Sequence, residues 1–255
     1  MRFPKHKHRD TATVNRLDAS SVEIADASVT ELPLALVLDT SSSMSGRPIE
    51  VVNETLIETQ IEFQKDAFKY LVHVATITFG HEGVQLWRGN HKIGRNEDAF
   101  VPAEKWSPPK LRASGVTPLT EAVMLAVACV EREKERLKVA RRNYNRPVIW
   151  LWSDGVPTDD QGQPTDAWRE LVPKLSHSER KFRLYALYPH GIPPEGKAAL
   201  DQLASAAWPL EQFAYKDVLP LLSASVETAG SDPHAQDDEI QRTYDEIIMG
   251  RQRRR

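Results

Sequence analysis

The feature that most constrains the fold is Leu32 to Leu38, an unbroken apolar run (Leu-Pro-Leu-Ala-Leu-Val-Leu) that leads directly into Asp39. A run this short and continuous is the pattern of a strand buried on both faces, which requires covering elements above and below it. Asp39-Thr40-Ser41-Ser42-Ser43 follows at once. By itself that segment reads most simply as a turn or helix cap, because Asp and Ser are common in both.

The chain downstream repeats this alternation. Pro48 suits the first turn of a helix, and Ile49, Val52, Leu56, Phe63 and Ala67 recur at helical spacing. Leu71–Phe79 and Val84–Trp87 read as two strands joined by a short turn at His81-Glu82-Gly83, hence an antiparallel hairpin. Residues 89–116 form a polar, Pro-containing connection. Leu119 to Leu137 is a second long helix with basic residues at its end, where cations favour the helix dipole. Val148–Trp152 is another buried-type strand. Ala167–Leu175 reads as a helix interrupted by Pro173, and Arg183–Tyr188 as a strand. Glu195–Ala207 reads as a helix, Leu210–Phe213 as a short strand and Val218–Ala229 as a closing helix. Strands alternating with helices imply an α/β, doubly wound sheet, mostly parallel, with one antiparallel edge strand and helices on both faces.

Three regions follow. Residues 1–30 read as an N-terminal arm, 31–229 as the folded domain, and 230–255 as a linker with a C-terminal helix and basic tail. In that last helix Ile240, Tyr244, Ile247 and Ile248 form a narrow stripe, read first as packing on its own domain and second as a docking face. With 33 basic against 36 acidic residues the chain lacks the basic excess of a general nucleic-acid binder. No apolar run approaches the roughly 20 residues that span a bilayer, and no signal-peptide core follows the basic N-terminus. The single cysteine, Cys129, lies in helix core and leaves no internal disulfide. A soluble, cytoplasmic protein is the expectation.

Two further segments change the meaning of Asp39. Gly115-Val116-Thr117-Pro118-Leu119 places a threonine hydroxyl just before a helix, and Ser153-Asp154-Gly155 places a carboxylate at the end of another apolar strand. In a parallel sheet such strand ends share one edge, where ligand sites of open α/β folds lie. Asp39, Ser41, Ser43, Thr117 and Asp154 would then converge. Two close carboxylates repel, and one tends to take a proton unless a cation intervenes. The donors are hard oxygens with no His or Cys, which suits Mg²⁺ (or Mn²⁺) better than Zn²⁺. Two negative charges only balance a dication, so an outside carboxylate could still join it.

In this order and on these elements, Asp39-x-Ser41-x-Ser43, Thr117 and Asp154 resemble the metal-ion-dependent adhesion site of von Willebrand factor A (VWA) domains, over roughly Pro33 to Ala229. The resemblance implies a Rossmann-like fold and a protein-binding role without catalysis. It implies Ser41 and Ser43 as direct ligands, Thr117 as a direct ligand in a partner-bound form, and Asp39 and Asp154 acting largely through water. A partner's Glu or Asp would complete the ion. The segments around Met44-Ser-Gly46-Arg-Pro48 and Gly155-Val-Pro157-Thr158-Asp159-Asp160 are most similar to the bacterial TerY-like group. That likeness implies tellurite-resistance, stress or defence complexes with kinase or phosphatase partners, no nucleic acid and no membrane. Ser42 and Val116 depart from the group's usual Gly and second Thr, but neither is an expected ligand.

The alternative is a Mg²⁺-dependent phosphatase or hydrolase using Asp39 as nucleophile, although such enzymes want a second Asp where this chain has Ser41. Other residues have simpler readings. His6 and His8 belong to a solvated arm, and His73 is a core or edge histidine. Trp150 and Trp152 share a strand face with Val148 and fill space beneath a helix. Glu131–Arg136 is read as a solvated helix face.

Overall fold

A computed structural model describes residues 30–65, 72–176, 181–211 and 214–253. The expectations for the arm before residue 30 (with His6 and His8), for Ala67, Leu71 and Phe213, and for Arg254 and Arg255 lie outside the described residues.

The apolar run forms the central strand β1 (Leu32–Thr40), buried along its whole length. Helix α1 (Arg47–Phe63) follows, with Pro48 in its first turn. Next come β2 (Val72–Gly80), β3 (Gly83–Arg88) and the short β4 (His91–Ile93) and β5 (Val101–Pro102). Helix α2 (Leu119–Val139) leads to β6 (Val148–Trp152). A 3₁₀ turn at Ala167–Glu170 and the short α3 (Val172–Ser176) precede β7 (Arg183–Pro189). The chain closes with α4 (Pro194–Leu203), β8 (Ala206–Leu210), α5 (Tyr215–Glu227) and α6 (Pro233–Gln252).

The strands form one sheet in the order β4-β3-β2-β1-β6-β7-β8, with β5 also paired to β2. β2, β1, β6, β7 and β8 run parallel, and the β3 side is the antiparallel edge. The sheet is therefore a mostly parallel, doubly wound α/β sheet with helices on both faces. Alternate residues of each strand supply opposite cores. Leu34, Leu36, Leu38, Trp150 and Trp208 pack with α1, α5 and Ile240 of α6. Val37, Ile77, Phe79, Leu151 and Ala186 pack with α2 and α4. No helix among the described residues is long and apolar enough to cross a membrane.

The structure corrects several local expectations. The antiparallel edge is longer than one strand, because β4 extends the hairpin and β5 adds to β2. Those pieces are too short to carry a period, so residues 89–116 looked like plain connection. The helix expected to reach Ala207 stops at Leu203, and Ala206 and Ala207 pair with Tyr185 and Ala186 as part of the edge strand β8. Alanine has little strand preference of its own, so pairing decides there. The linker expected over 230–238 shrinks because Pro233 is an early residue of α6. The Asp232 side chain accepts from the His234 N–H at 2.9 Å, so what resembled a breaker is a helix start.

Helix α6 packs on its own domain. Ile240 is fully buried, and Tyr244 lies 6.4 Å from Trp208, centroid to centroid. The Tyr185 hydroxyl donates to Asp237 at 2.9 Å, and Asp237 also pairs with the buried Arg183. Arg251, expected in a free basic tail, pairs with Asp217 of α5. Removing one partner of such a pair leaves a buried charge uncompensated. Asp237→Ala should therefore lower unfolding free energy by about 3 kcal/mol in urea titrations. A loss below about 1 kcal/mol would mean that this pair does not anchor α6.

Candidate functional site

The sheet reverses its direction of growth at β1: the chain moves from β1 out to β2, then returns to β6 on the other side. The crevice at such a reversal, beyond the carboxyl ends of the strands, is where open α/β sheets place ligands. Asp39 and Asp154 lie on its two sides. Leu38 pairs with Trp152, so Asp39 stands beside Ser153 at the next register position.

The five expected residues come together here. Asp39 is 1% exposed. Its Oδ1 accepts the Ser41 N–H at 2.8 Å, and its Oδ2 accepts the Ser153 hydroxyl at 2.6 Å. The Ser43 hydroxyl donates to Asp154 Oδ1 at 2.7 Å. With that proton committed, the 3.0 Å contact between the Ser41 and Ser43 hydroxyls has Ser41 as donor. Thr117 Oγ1 and Ser43 Oγ both lie close to the Gly155 backbone, at 3.4 and 3.5 Å from where a Cβ would stand. Thr117 is buried, and among the described residues its hydroxyl has no hydrogen-bond partner.

The loops are tied to one another through main-chain bonds. Thr40 O accepts from both His81 N and Ser114 N, and Ser42 N donates to Gly115 O at 3.1 Å. Thr158 fixes the threonine loop, its hydroxyl accepting Thr117 N at 2.8 Å and its N–H reaching Thr117 O at 3.0 Å. This closeness requires glycine at two places. Gly80 has φ +127°, and a Cβ there would stand 2.2 Å from Ser41 N; at Gly115, φ +79°, it would stand 2.6 Å from Gly80 O.

Burial pushes the Asp39 carboxyl up to about 7, against the hydrogen bonds from Ser153 and Ser41 and with a further push from Asp154. Burial likewise raises Asp154, opposed by its bond from Ser43. The protein alone therefore holds two carboxylates at a cost that a divalent cation would relieve. All-oxygen donors and this pair of carboxylates raised by burial fit Mg²⁺ or Mn²⁺.

Residue-by-residue reading of the sequence missed Ser153, Thr158 and the two glycines. Ser153 had a signal in its place beside Asp154, whereas Gly80 became interpretable only once the loops were stacked. The departures at Ser42 and Val116 leave the oxygen cluster unchanged. The Ser42 hydroxyl donates to Gly115 O at 2.9 Å, and Val116 lies against Gly162.

A second group stands at the opposite edge of the sheet. Glu31, His73 and Glu133 bring one ligand atom each within 4.8 Å of one another and are a candidate cation group by geometry. His73 Nε2 lies 3.3 Å from Glu31 and its Nδ1 3.6 Å from Glu133. Arg142 also pairs with Glu31, and Arg136 binds both oxygens of Glu133 at 2.7 Å. Burial acts to raise the Glu133 carboxyl, but the bonds from Arg136 and His73 outweigh it and hold it below the usual range. Two arginines already balance the two carboxylates, so a dication would add uncompensated buried charge. The group reads best as an ionic clamp between β2, α2 and the entry to β1. Glu133 and Lys134, expected on a solvated face, are buried. Each is paired with a more exposed neighbour on the helix, Glu133 with Arg136 and Lys134 with Glu131.

No family model matches the chain. It is 26% identical over 198 residues to mouse inter-alpha-trypsin inhibitor heavy chain 4, covering 74% of this chain and 20% of that protein. The chain thus spans about a fifth of the length of that curated relative. Among solved structures it is similar to the pilus adhesin SpaC of Lactobacillus rhamnosus GG, at TM-score 0.49 and 13% identity, covering 85% of this chain and 31% of the adhesin. It is also similar to a von Willebrand factor type A protein of Catenulispora acidiphila, at TM-score 0.45 and 16% identity, covering 84% and 42%. The functional reading rests on the residues of the site.

Asp39 sets a pH dependence whose sign can be worked out. Its folded-state value, about 7, lies above the ordinary 3.8. The contribution is fully present below about pH 4, and is lost as pH rises to about 7, where the folded carboxyl finally ionises. Without divalent metal, Asp39→Asn should therefore melt higher than wild type at pH 8 and nearly equal to it at pH 4, a difference on the order of a few kcal/mol. Thermal melts in chelator across that range check this. A variant less stable than wild type at pH 8 would refute it.

Proposed function

We propose that this chain is a VWA-type interaction domain that holds one Mg²⁺ or Mn²⁺ at Asp39, Ser41, Ser43, Thr117 and Asp154 and uses it to capture an acidic side chain of a partner protein. The observation that carries this reading is the convergence of two carboxylates and three hydroxyls from three loops at the point where the sheet reverses. When bound, the ion supplies a Lewis-acidic centre for an incoming carboxylate. The chain's own residues hold its donors in place: Ser153 and the Ser41 N–H orient Asp39, Thr158 fixes the Thr117 backbone, and Gly80 and Gly115 let the loops close up. Charge supports an outside ligand, since Asp39 and Asp154 only balance a dication.

A binding role is favoured over hydrolysis. Asp39 is buried with both oxygens engaged, so it is poorly placed to attack a substrate, and a serine stands two residues on where a phosphatase of this type wants a second acid. Within the reading, residues 31–229 make up the VWA domain, and the C-terminal helix in 230–255 belongs to it as a covering element. The TerY-like sequence features support a cytoplasmic role in tellurite resistance, stress response or defence, with a kinase or phosphatase among the partners. They do not extend to nucleic acid or membrane.

Titration calorimetry with Mg²⁺ and Mn²⁺ tests the ion directly. Wild type should bind, while Asp39→Ala and Asp154→Ala should lose at least about tenfold in affinity, as expected when a charged ligand is removed from a hard-cation site. Ser41→Ala and Thr117→Ala should weaken capture of an acidic ligand without altering the melting profile in chelator. Equal heats in wild type and Asp39→Ala would end the proposal.

A further inference from the structure

Beside the oxygen cluster lies a cavity of about 300 Å³ between the β2–β3 hairpin and the loop that leads to α2. Thr40, which sits between Asp39 and Ser41, lines it, together with His81, Trp87, Lys92, Lys110 and Arg112. The cavity and the cluster are thus neighbours on either side of the Thr40 backbone, whose carbonyl accepts from His81 N and Ser114 N. The loop that brings Thr117 to the cluster also brings Lys110 and Arg112 to the cavity.

The hydrogen-bonding state of the lining decides what the cavity can accept. Its neutral polar groups are engaged. The Thr40 hydroxyl donates to Phe79 O at 3.0 Å and accepts from His81 N at 3.1 Å. Trp87 Nε1 donates to Thr78 at 2.9 Å, Gln85 donates to Glu82 O, and His81 Nδ1 meets the Ser114 hydroxyl at 2.5 Å. Lys92 is paired with Glu82 at 2.6 Å and stands 5.5 Å from the Trp87 ring centroid. Lys110 and Arg112 are exposed, and among the described residues neither is in an ion pair or a side-chain hydrogen bond. The remaining donors of the cavity are therefore cationic. Glu82 also lines the cavity, paired with Lys92 and acted on at longer range by Arg112. Lys92, Lys110 and Arg112 against this one carboxylate leave the lining with a net positive charge, in a chain that has more acidic than basic residues.

We infer that this cavity is the second anchor for the captured ligand: it binds another carboxylate of the same acidic segment whose first carboxylate goes to the ion. The inference rests on the proposed function and deepens it, from any acidic side chain to a segment carrying at least two. Lys110 and Arg112 steer and hold the segment by charge, and Arg112 offers the planar fork that suits a carboxylate. Both cations are solvent-facing, so each contributes modestly and in a salt-dependent way.

Fluorescence anisotropy in Mg²⁺ buffer, with a labelled oligoglutamate and a labelled Ser/Gly peptide containing a single Glu, tests this. Wild type should prefer oligoglutamate, and the Lys110→Ala/Arg112→Ala double variant should lose about three- to tenfold in affinity for it while binding the single-Glu peptide unchanged. Mg²⁺ calorimetry and melting of the double variant should match wild type. Absence of oligoglutamate binding by wild type, or a preference that survives in the double variant, overturns the inference. Oligoglutamate binding that ignores chelator but still needs Lys110 and Arg112 would uphold the cavity and reject the metal reading. Intact Mg²⁺ binding with an idle cavity would reject the cavity alone.

Discussion

The buried Asp39 carboxylate is the constraint around which the rest of the structure is arranged. A strand covered on both faces delivers it to the end of β1 with almost no exposure, where ionisation is costly. The protein offsets part of that cost with Ser153 and the Ser41 N–H. Those two bonds join β6 to β1 and fold the serine loop back over the strand end. The same bonds orient the carboxylate toward the point where Ser43, Thr117 and Asp154 gather. A group that costs stability in the free chain is thereby ready to bind a cation, a familiar balance at functional sites.

The two edges of the sheet handle buried charge in different ways. At the carboxyl edge, among the described residues, Asp39 and Asp154 are in no ion pair, and serine hydroxyls and the Ser41 N–H are their hydrogen-bond partners. At the opposite edge, Glu31 and Glu133 are matched by Arg142, Arg136 and His73. The matched cluster clamps elements together, whereas the unmatched one leaves its charge for an outside ion. This contrast, more than the presence of carboxylates as such, separates the candidate site from the structural ion pairs.

How much was legible in the sequence followed from how local each signal was. The β1 run, α1, α2 and β6 show their periods over many residues, and Asp39, Ser41, Ser43, Thr117 and Asp154 sit directly after or before those elements. Their convergence could be argued from strand polarity alone. The short strands β4 and β5 carry no period. Ala206 and Ala207 have no preference that would take them out of a helix. Pro233 marks either a break or a start, and the Asp232 cap decides between them.

The sequence by itself determined the alternation of strands and helices, the chemistry of the donors and their place at strand ends, because those depend on periods and neighbours along the chain. Tertiary structure decided which charges would be neutralised. Glu133 looked solvated until α2 packed over β2, and α6 could have served another chain until Asp237 met Arg183 and Tyr185. Lys110 and Arg112 were two charges in a polar connection until folding set them beside the Asp39 loop. Such pairings depend on distances between residues far apart in sequence, so only the packed chain could settle them.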